Sequence, residues 1–333
     1  MILSAALVLL GARSSLSFTA TKIGTFHIVY WEPYINQDGA VALNDGDGLN
    51  TDMRAFYWKD GQLTQITVPD SMMTLAKGVT VRGIAEDGTV LACSNEPGFE
   101  TGFLWTKDGG IIKHLPADFR PEAMNPSTKD MVGTGVEDGH WVQGRMHSDV
   151  FSPIFEVDQP DGMTAMNGSG VAVGNPATGD GVNQHPIRLG TDGTQEAFAS
   201  AFREPGHQEM IGAVRAINSA GWAVGGIGYV GTTPREAVTE AGAIWSPSNQ
   251  LTRVPGMVTF HGINDAGYVV GTQKTVRGKK AVIYTSVDGV QDLNSLIPGA
   301  GFDLAEAKAI NNHNEIVCVD SSGYNVYLLK PSS

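Results

Sequence analysis

Residues 260–271 read F-H-G-I-N-D-A-G-Y-V-V-G, and this stretch decides the fold. An apolar run ends at Ile263-Asn264, a short polar turn follows, and a second apolar run begins after Gly267. Asn tolerates a left-handed φ and can bond its own backbone, while Gly takes a positive φ without steric cost. The pattern therefore predicts a β-hairpin.

Six other segments repeat this pattern. In each, an apolar landmark residue is followed by Asn or Ala, and in most of them a Gly stands three positions further on. The seven landmark residues are Ile35, Ile84, Met124, Met166, Ile217, Ile263 and Ile310. They recur at intervals of 40 to 51 residues without a helical period between them. Such a repeat is typical of the blades of a β-propeller.

Each interval holds two more strand patterns after the hairpin. The third strand is marked by an aromatic residue, as at Trp58, Trp105, Trp245 and Tyr284. The three Trp share one repeat position, so we expect them to pack between blades. An Asp-Gly turn and a short last strand often follow. We therefore predict an all-β fold, a single propeller of seven four-stranded blades, with six or eight blades as the alternative.

The seventh repeat supplies only three of its four strands. Its hairpin and third strand bring the chain to its last residues, whereas the strand-like residues 24–30 precede the first repeat and have nothing of their own to complete. We predict that this N-terminal strand closes the last blade, because closure removes the exposed edge of an open array.

A family resemblance rests on three of these features. The I-N-x-x-G-x-V-V-G hairpin, the A-F-x-W-like third strand and the segment from Asp292 to Asn311 resemble the HAF family of extracellular repeat proteins. The similarity covers nearly the whole chain after residue 30 and is strongest from Val214 onward. His-Ala-Phe itself does not occur, the nearest match being residues 54–56, and the third and fourth copies are eroded. The resemblance implies secretion and a β-propeller-like fold, and it brings no established activity.

The N-terminus and the composition predict where the protein acts. Residues 2–12 form an apolar run too short to span a bilayer, and small residues follow it. We therefore predict a signal peptide over residues 1–17, a propeller over residues 22–333, and an extracellular or periplasmic location. The alternative is a misassigned start or an apolar N-terminal strand.

The net charge disfavours two classes of partner, and the cysteine count bears on disulfide bonding. The formal net charge of −13 argues against nucleic-acid or anionic-membrane partners, which would be repelled at long range. No other stretch is apolar enough to span a membrane, and we expect a monomer. The two cysteines, Cys93 and Cys318, predict buried free thiols rather than a disulfide framework.

One loop has the composition of a calcium site. Residues 44–52 read N-D-G-D-G-L-N-T-D, and calcium prefers six to eight oxygen ligands on a flexible loop. The candidate ligands are Asp45, Asp47, Asn50 and Asp52. Their spacing does not match the EF-hand, and the alternative is a solvated turn in the first blade. No other cofactor is expected.

Catalytic signatures do not occur. The sequence holds no G-x-S-x-G elbow, no H-E-x-x-H helix, no Cys-x-x-Cys pair and no phosphate-binding glycine loop. Two function classes remain: a secreted non-catalytic module that binds a protein, glycan or small anionic ligand, and a propeller-type hydrolase or lyase acting on a polysaccharide. The acidic residues lie mostly in turns rather than clustering at one repeat position, which favours binding.

The residues just before each landmark predict a ligand site. The residue one position earlier is small in six of seven copies, as expected where blades approach closely. Two positions earlier stand Pro33, Arg82, Glu122, Thr164, Arg215, His261 and Lys308. If they ring a channel, cations outnumber anions, so we predict that an anion or an acidic group docks on Arg82, Arg215, His261 and Lys308. The alternative is that each charge pairs with an acidic turn residue of a neighbouring blade or points to solvent.

Overall fold

The computed structural model describes residues 16–27, 32–46, 53–69, 78–96, 99–160, 162–177, 186–199, 210–230, 237–256 and 258–332. Over these ranges the chain forms seven four-stranded antiparallel sheets. In six sheets the strands are neighbours in chain order, and in the seventh the first strand of the chain joins the last three. This arrangement is a seven-bladed β-propeller, and it confirms the predicted fold class and blade count.

The first strand of the described residues is β1, Phe18–Thr25, and the first three blades follow. Blade 1 comprises β2 (Tyr34–Ile35), β3 (Val41–Asp45), β4 (Arg54–Lys59) and β5 (Gln62–Ile66). Blade 2 comprises β6 (Val79–Ile84), β7 (Val90–Glu96), β8 (Phe99–Thr106) and β9 (Gly110–His114). Blade 3 comprises β10 (Phe119–Met124), β11 (Met131–Glu137), β12 (His140–His147) and β13 (Val150–Glu156).

Four more blades complete the ring. Blade 4 comprises β14 (Met163–Met166), β15 (Ala172–Gly174), β16 (Ile187–Leu189) and β17 (Gln195–Ala197). Blade 5 comprises β18 (Met210–Ile217), β19 (Ala223–Val230), β20 (Ala237–Trp245) and β21 (Leu251–Pro255). Blade 6 comprises β22 (Val258–Ile263), β23 (Val269–Thr275), β24 (Gly278–Thr285) and β25 (Gly289–Asp292), followed by a 3₁₀ turn, Leu293–Leu296. Blade 7 comprises β26 (Leu304–Ile310), β27 (Ile316–Asp320), β28 (Asn325–Pro331) and β1.

The N-terminal strand closes the ring, as predicted, but with different residues. β1 pairs antiparallel with β28, from Phe18 opposite Pro331 to Thr25 opposite Asn325. The closing strand is therefore Phe18–Thr25 and not residues 24–30, of which 28–30 lie outside the described residues. The sequence pattern did not reveal this strand because it is the outermost of its blade, and half of its residues, all of them polar, are exposed.

The hydrophobic core lies between blades rather than within them. Trp58 belongs to a buried cluster shared by blades 1 and 7. The ring centroids of Trp105 and Tyr57, on blades 2 and 1, lie 5.7 Å apart, and those of Trp245 and Phe198, on blades 5 and 4, lie 4.9 Å apart. The three repeat Trp thus pack between blades, as predicted. Cys93 and Cys318 are buried free thiols, which confirms that prediction too.

The innermost strand of most blades carries a β-bulge at the same repeat position. In six blades the residue two positions before the landmark is skipped in the pairing with the second strand. The skipped residues are Arg82, Glu122, Thr164, Arg215, His261 and Lys308. A bulge bends its strand and re-aims the extra side chain. In six of the seven blades the repeat therefore redirects one side chain at the innermost strand.

The bulge explains the last glycine of the V-V-G motif. Gly225 and Gly271 lie on second strands opposite the bulged segment. A Cβ on Gly225 would stand 1.8 Å from the Ala213 oxygen, and one on Gly271 would stand 2.2 Å from the Thr259 oxygen. Only glycine leaves these carbonyls room where the bulged strand bends toward its partner.

In six of the seven hairpins an Asn side chain bonds the neighbouring blade. The expected left-handed φ is found at the turn glycines, such as Gly267 at 79°, and not at the landmark Asn residues. In blade 6, Asn264 Oδ1 accepts from Tyr268 N of its own turn at 2.9 Å, while Nδ2 donates to Asn311 O of blade 7 at 3.1 Å. We call the six such donors the asparagine belt: Asn36, Asn125, Asn167, Asn218, Asn264 and Asn311. Blade 2 has Ala85 there, and Glu86 N donates to Pro126 O of blade 3 instead.

Candidate functional site

The innermost strands enclose a central cavity of about 350 Å³. Its walls come from three successive repeat positions, which are the bulge residue, the small residue and the landmark. The small position lets blades approach closely: a Cβ on Gly262 would lie 3.3 Å from Ile310 N of the next blade. The cavity therefore has one level of charged and polar side chains and one level of Ile and Met.

The structure brings the four predicted ligand-binding residues to one place. Arg82, Arg215, His261 and Lys308 all line the central cavity. The sequence located them by repeat position alone, and the bulge supplies the reason that they face inward. Binding of an anion by these four residues stays a prediction.

Sequence reasoning missed a carboxylate at the centre of this group. Glu32 Oε1 lies 3.1 Å from His261 Nδ1 and 3.5 Å from Arg215 Nη1, and Oε2 lies 3.5 Å from Lys308 Nζ. These three partners belong to blades 6, 5 and 7, whereas Glu32 precedes the first strand of blade 1. The sequence feature that could have indicated Glu32 is its position directly before Pro33, which occupies the bulge position of blade 1.

The ion pairs around Glu32 hold it in the charged form. Burial by itself raises the pKa of Glu32, but His261, Lys308 and Arg215 outweigh that effect and lower the pKa well below its usual range. Burial likewise lowers the pKa of Lys308, and Glu32 and Glu306 reverse the shift and raise it. Glu306 Oε2 is 2.8 Å from Lys308 Nζ. Lys308 thus lies between the carboxylates of Glu32 and Glu306. Of these two, Glu32 also contacts Arg215 and His261.

His261 is oriented by partners on both ring nitrogens. Its Nε2 lies 3.2 Å from Thr272 Oγ1 on the second strand of the same blade, and its Nδ1 faces Glu32. Both ring nitrogens are therefore within hydrogen-bond distance of a side-chain oxygen, Nδ1 of the Glu32 carboxylate and Nε2 of the Thr272 hydroxyl. Because Thr272 is only 6% exposed, this chain of three groups orients the imidazole rather than presenting a nucleophile to the cavity.

Glu122, the anion counted in the predicted ring, has a local partner set. Its side chain is 3% exposed, and Oε2 accepts from Gly162 N at 3.1 Å and Met163 N at 2.7 Å on the next blade. Oε1 accepts from the Thr134 hydroxyl. The carboxylate thereby satisfies main-chain donors at the start of blade 4.

The calcium prediction falls largely outside the described residues. Asp47, Asn50 and Asp52 lie in the range 47–52, of which nothing is described. Asp45 is 4% exposed, and its two oxygens accept from His27 N at 2.7 Å and Arg54 Nη2 at 2.5 Å. The described part of the chain shows no group of three or more His, Cys, Asp or Glu suited to a metal. Calcium binding here stays a prediction, and melting curves with added calcium and with a chelator test it.

Comparison with known proteins supports the fold alone. No family model matches the chain, and no curated protein matches it, so membership of the HAF family also stays a prediction. Within the described residues, no helix is long and apolar enough to span a bilayer.

Solved structures share the architecture at low identity. A streptogramin B lyase structure is 10% identical with a TM-score of 0.56, and the match covers 95% of this chain and 98% of that one. The β-propeller domain of the Trilobed protease from Pyrococcus furiosus, described as having an open velcro topology, is 12% identical with a TM-score of 0.51, covering 79% and 83%. A prolyl endopeptidase is 9% identical with a TM-score of 0.58, covering 96% of this chain but 51% of that one. By class the protein is a β-propeller, here with its first and last strands paired in one blade.

Proposed function

We propose that this propeller is a non-catalytic binding module of the extracellular or periplasmic space, and that its ligand docks an acidic group in the central cavity. The observation that carries the proposal is the convergence of Arg215, His261 and Lys308, from three different blades, on one carboxylate position. A fold that directs side chains of several blades to a common centre suits recognition of a small group from several directions.

Among the side chains that line the cavity, three permanent cations stand against two carboxylates. Arg82, Arg215 and Lys308 line it together with the carboxylates of Glu32 and Glu122. Glu122 accepts from main-chain donors of blade 4, and Glu306, which is not part of the lining, pairs with Lys308. Within the lining, Glu32 is the carboxylate that contacts Arg215, His261 and Lys308. An anionic ligand is attracted here although the protein as a whole carries a net charge of −13.

The carboxylates of this region argue against the alternative of a polysaccharide hydrolase or lyase. A general acid needs a raised pKa to hold its proton near neutral pH. The cations around Glu32 and Glu306 outweigh burial and lower the pKa of both. Glu122 is bonded to Thr134 and to backbone amides. The site is therefore equipped to hold charge rather than to transfer protons.

The proposed location rests on the sequence. The apolar run over residues 2–12 has the length of a signal-peptide core, and the HAF resemblance implies secretion. Expression of the full chain with a C-terminal tag, followed by fractionation and N-terminal sequencing of the mature protein, tests this part. A mature protein that retains residues 1–17 in the cytosol contradicts it.

Binding of acidic probes tests the function itself. We expect oligogalacturonates, citrate or inorganic phosphate to bind the wild-type protein, with an affinity that falls as salt rises. The variants Arg82→Ala and Arg215→Ala should each weaken binding at least about tenfold, the loss of one charge-assisted contact. Arg277→Ala, at an exposed hairpin tip, is the matched control and should bind as wild type. Equal affinity of the Arg215→Ala and wild-type proteins, or no binding of any probe, refutes the proposal.

A further inference from the structure

Glu32 reaches the cavity from outside the repeat. Its cationic partner Arg215 lies 183 positions away in the chain, and His261 lies 229 positions away. No bulge positions Glu32, because blade 1 begins at Tyr34 and carries Pro33 at the bulge position. The segment before blade 1 therefore places the Glu32 carboxylate in a site formed by residues of blades 5, 6 and 7.

The contacts of Glu32 are looser than those of a carboxylate in a dedicated ion pair. Charge-assisted N–H···O bonds are typically about 2.7–2.9 Å long, whereas Arg215 Nη1 and Lys308 Nζ stand at 3.5 Å. Among the described residues none donates a hydrogen bond to Glu32 Oε2. The Oε2 atom itself is buried, although the side chain as a whole is 30% exposed. A carboxylate free to move could approach Arg215 and Lys308 more closely than Glu32 does.

Beside the charged residues the cavity presents an apolar ring. Landmark side chains from six blades line it: Ile35, Ile84, Met124, Met166, Ile263 and Ile310. A small inorganic anion would pair with the cations and leave this ring in contact with water. A ligand that carries an apolar body beside its carboxylate covers both levels, and removal of apolar surface from water favours binding.

We propose that the cavity is a site for small monocarboxylic acids with an apolar chain or ring, and that Glu32 occupies the carboxylate position when no ligand is bound. The incoming carboxylate replaces Glu32 between Arg215, His261 and Lys308, and the apolar body lies on the landmark ring. This inference rests on the proposed function, because it names the ligand class of the same cavity. Glu32 acts in it as an internal competitor.

Removal of the internal carboxylate tests the inference. Acetate, butyrate and hexanoate are titrated into the Glu32→Ala protein and the wild type, with calorimetry for affinity and melting temperature for stability. We expect Glu32→Ala to bind the longer acids about fourfold more tightly per added methylene, and to bind each acid at least about tenfold more tightly than wild type. Adding Arg215→Ala to the Glu32→Ala protein should abolish the gain.

A matched control removes a carboxylate elsewhere. Glu196 pairs with Arg188 at 2.6 Å on the outer strands of blade 4, away from the cavity. The Glu196→Ala protein should bind these acids no better than wild type. An equal gain in both alanine variants would show a general response to a missing carboxylate and would overturn the inference.

The remaining outcomes separate the inference from the proposed function. If a folded Glu32→Ala protein does not bind the acids, or binds acetate and hexanoate equally, the inference is overturned. Binding of acidic oligosaccharides by the wild type would still uphold the proposed function in that case. If Glu32→Ala binds hexanoate tightly and the wild-type protein binds no acidic probe, the inference is upheld and the proposed function is refuted. Should Glu32→Ala not fold, Glu32→Gln keeps the side-chain size, and a failure of hexanoate to bind it more tightly than wild type overturns the inference.

Discussion

Asn311 Nδ2 donates a hydrogen bond to the main-chain oxygen of Asn36 at 3.0 Å, across 275 positions of chain. This bond joins blade 7 to blade 1, at the junction that β1 also closes. The same side chain accepts from Glu315 N through Oδ1 at 2.9 Å, so it shapes its own turn while holding the next blade. The repeated Asn is therefore an inter-blade residue as much as a turn residue.

The asparagine belt predicts a large cost for removing one member. Asn218 Nδ2 donates to Asn264 O at 3.1 Å, Oδ1 accepts from Trp222 N at 2.9 Å, and the residue is 5% exposed. Asn218→Ala should lower the free energy of unfolding by about 2–3 kcal/mol, because two hydrogen bonds are lost and buried partners are left unpaired. Urea unfolding measures it.

The neighbouring residue provides the control for that variant. Ser219→Ala removes an exposed hydroxyl of the same turn, whose bond to the exposed Asp265 carboxylate is solvated, and should stay within about 0.5 kcal/mol of wild type. An Asn218→Ala protein as stable as the Ser219→Ala protein would contradict an inter-blade role for the belt.

Closure by β1 predicts the effect of N-terminal truncation. A chain that begins at Leu16 retains Phe18–Thr25, whereas one that begins at Phe26 leaves β28 as an open edge and removes the buried Phe18 ring, which is 2% exposed. We expect the first protein to melt like wild type and the second to aggregate or to melt well below it. Identical melting curves for the two truncations would disprove closure by this strand.

The lowered pKa values of Glu32 and Glu306 predict loss of stability in acid. In both residues the neighbouring cations outweigh the effect of burial and hold the pKa in the folded state below the ordinary 4.5. The two carboxylates therefore contribute fully to the free energy of unfolding above pH 4.5, and this contribution is lost as the pH falls through the folded pKa. Lys308, with a pKa raised above 10.5, behaves oppositely and loses its contribution only in strong alkali. Urea midpoints between about pH 6 and pH 3 should fall less steeply for Glu32→Gln than for wild type. Parallel slopes would contradict the ion pairing of Glu32.

The buried thiols predict chemical inertness of the folded protein. Burial alone raises the pKa of the Cys318 thiol, and both cysteines have no exposed surface. Because the thiolate is the reactive form, a disulfide reagent should label Cys318 in a Cys93→Ala background at least about a hundredfold more slowly in the folded than in the unfolded state. Fast labelling of the folded protein would mean that blade 7 opens readily.

Short sequence patterns determine the repeat architecture of this protein. The Ile-Asn turn with its positive-φ glycine is a property of a few adjacent residues, so its recurrence predicts the blade count and the four-stranded repeat. The inward position of Arg82, Arg215, His261 and Lys308 also followed from counting back from the landmark, because each inner strand bends at the same bulge. The predicted closing strand, residues 24–30, begins six residues after the observed one, because the outer strand Phe18–Thr25 lacks a clear apolar alternation.

Only the tertiary structure decided what those charges contact. Glu32 meets Arg215, His261 and Lys308 because closure of the ring carries the start of the chain to the blades at its end. Glu122, equivalent to them in the repeat, instead serves the backbone of blade 4. The sequence by itself determined the repeat, because turn chemistry and strand periodicity act between near neighbours. Pairing across the cavity depends on distances between residues that only the closed ring brings together.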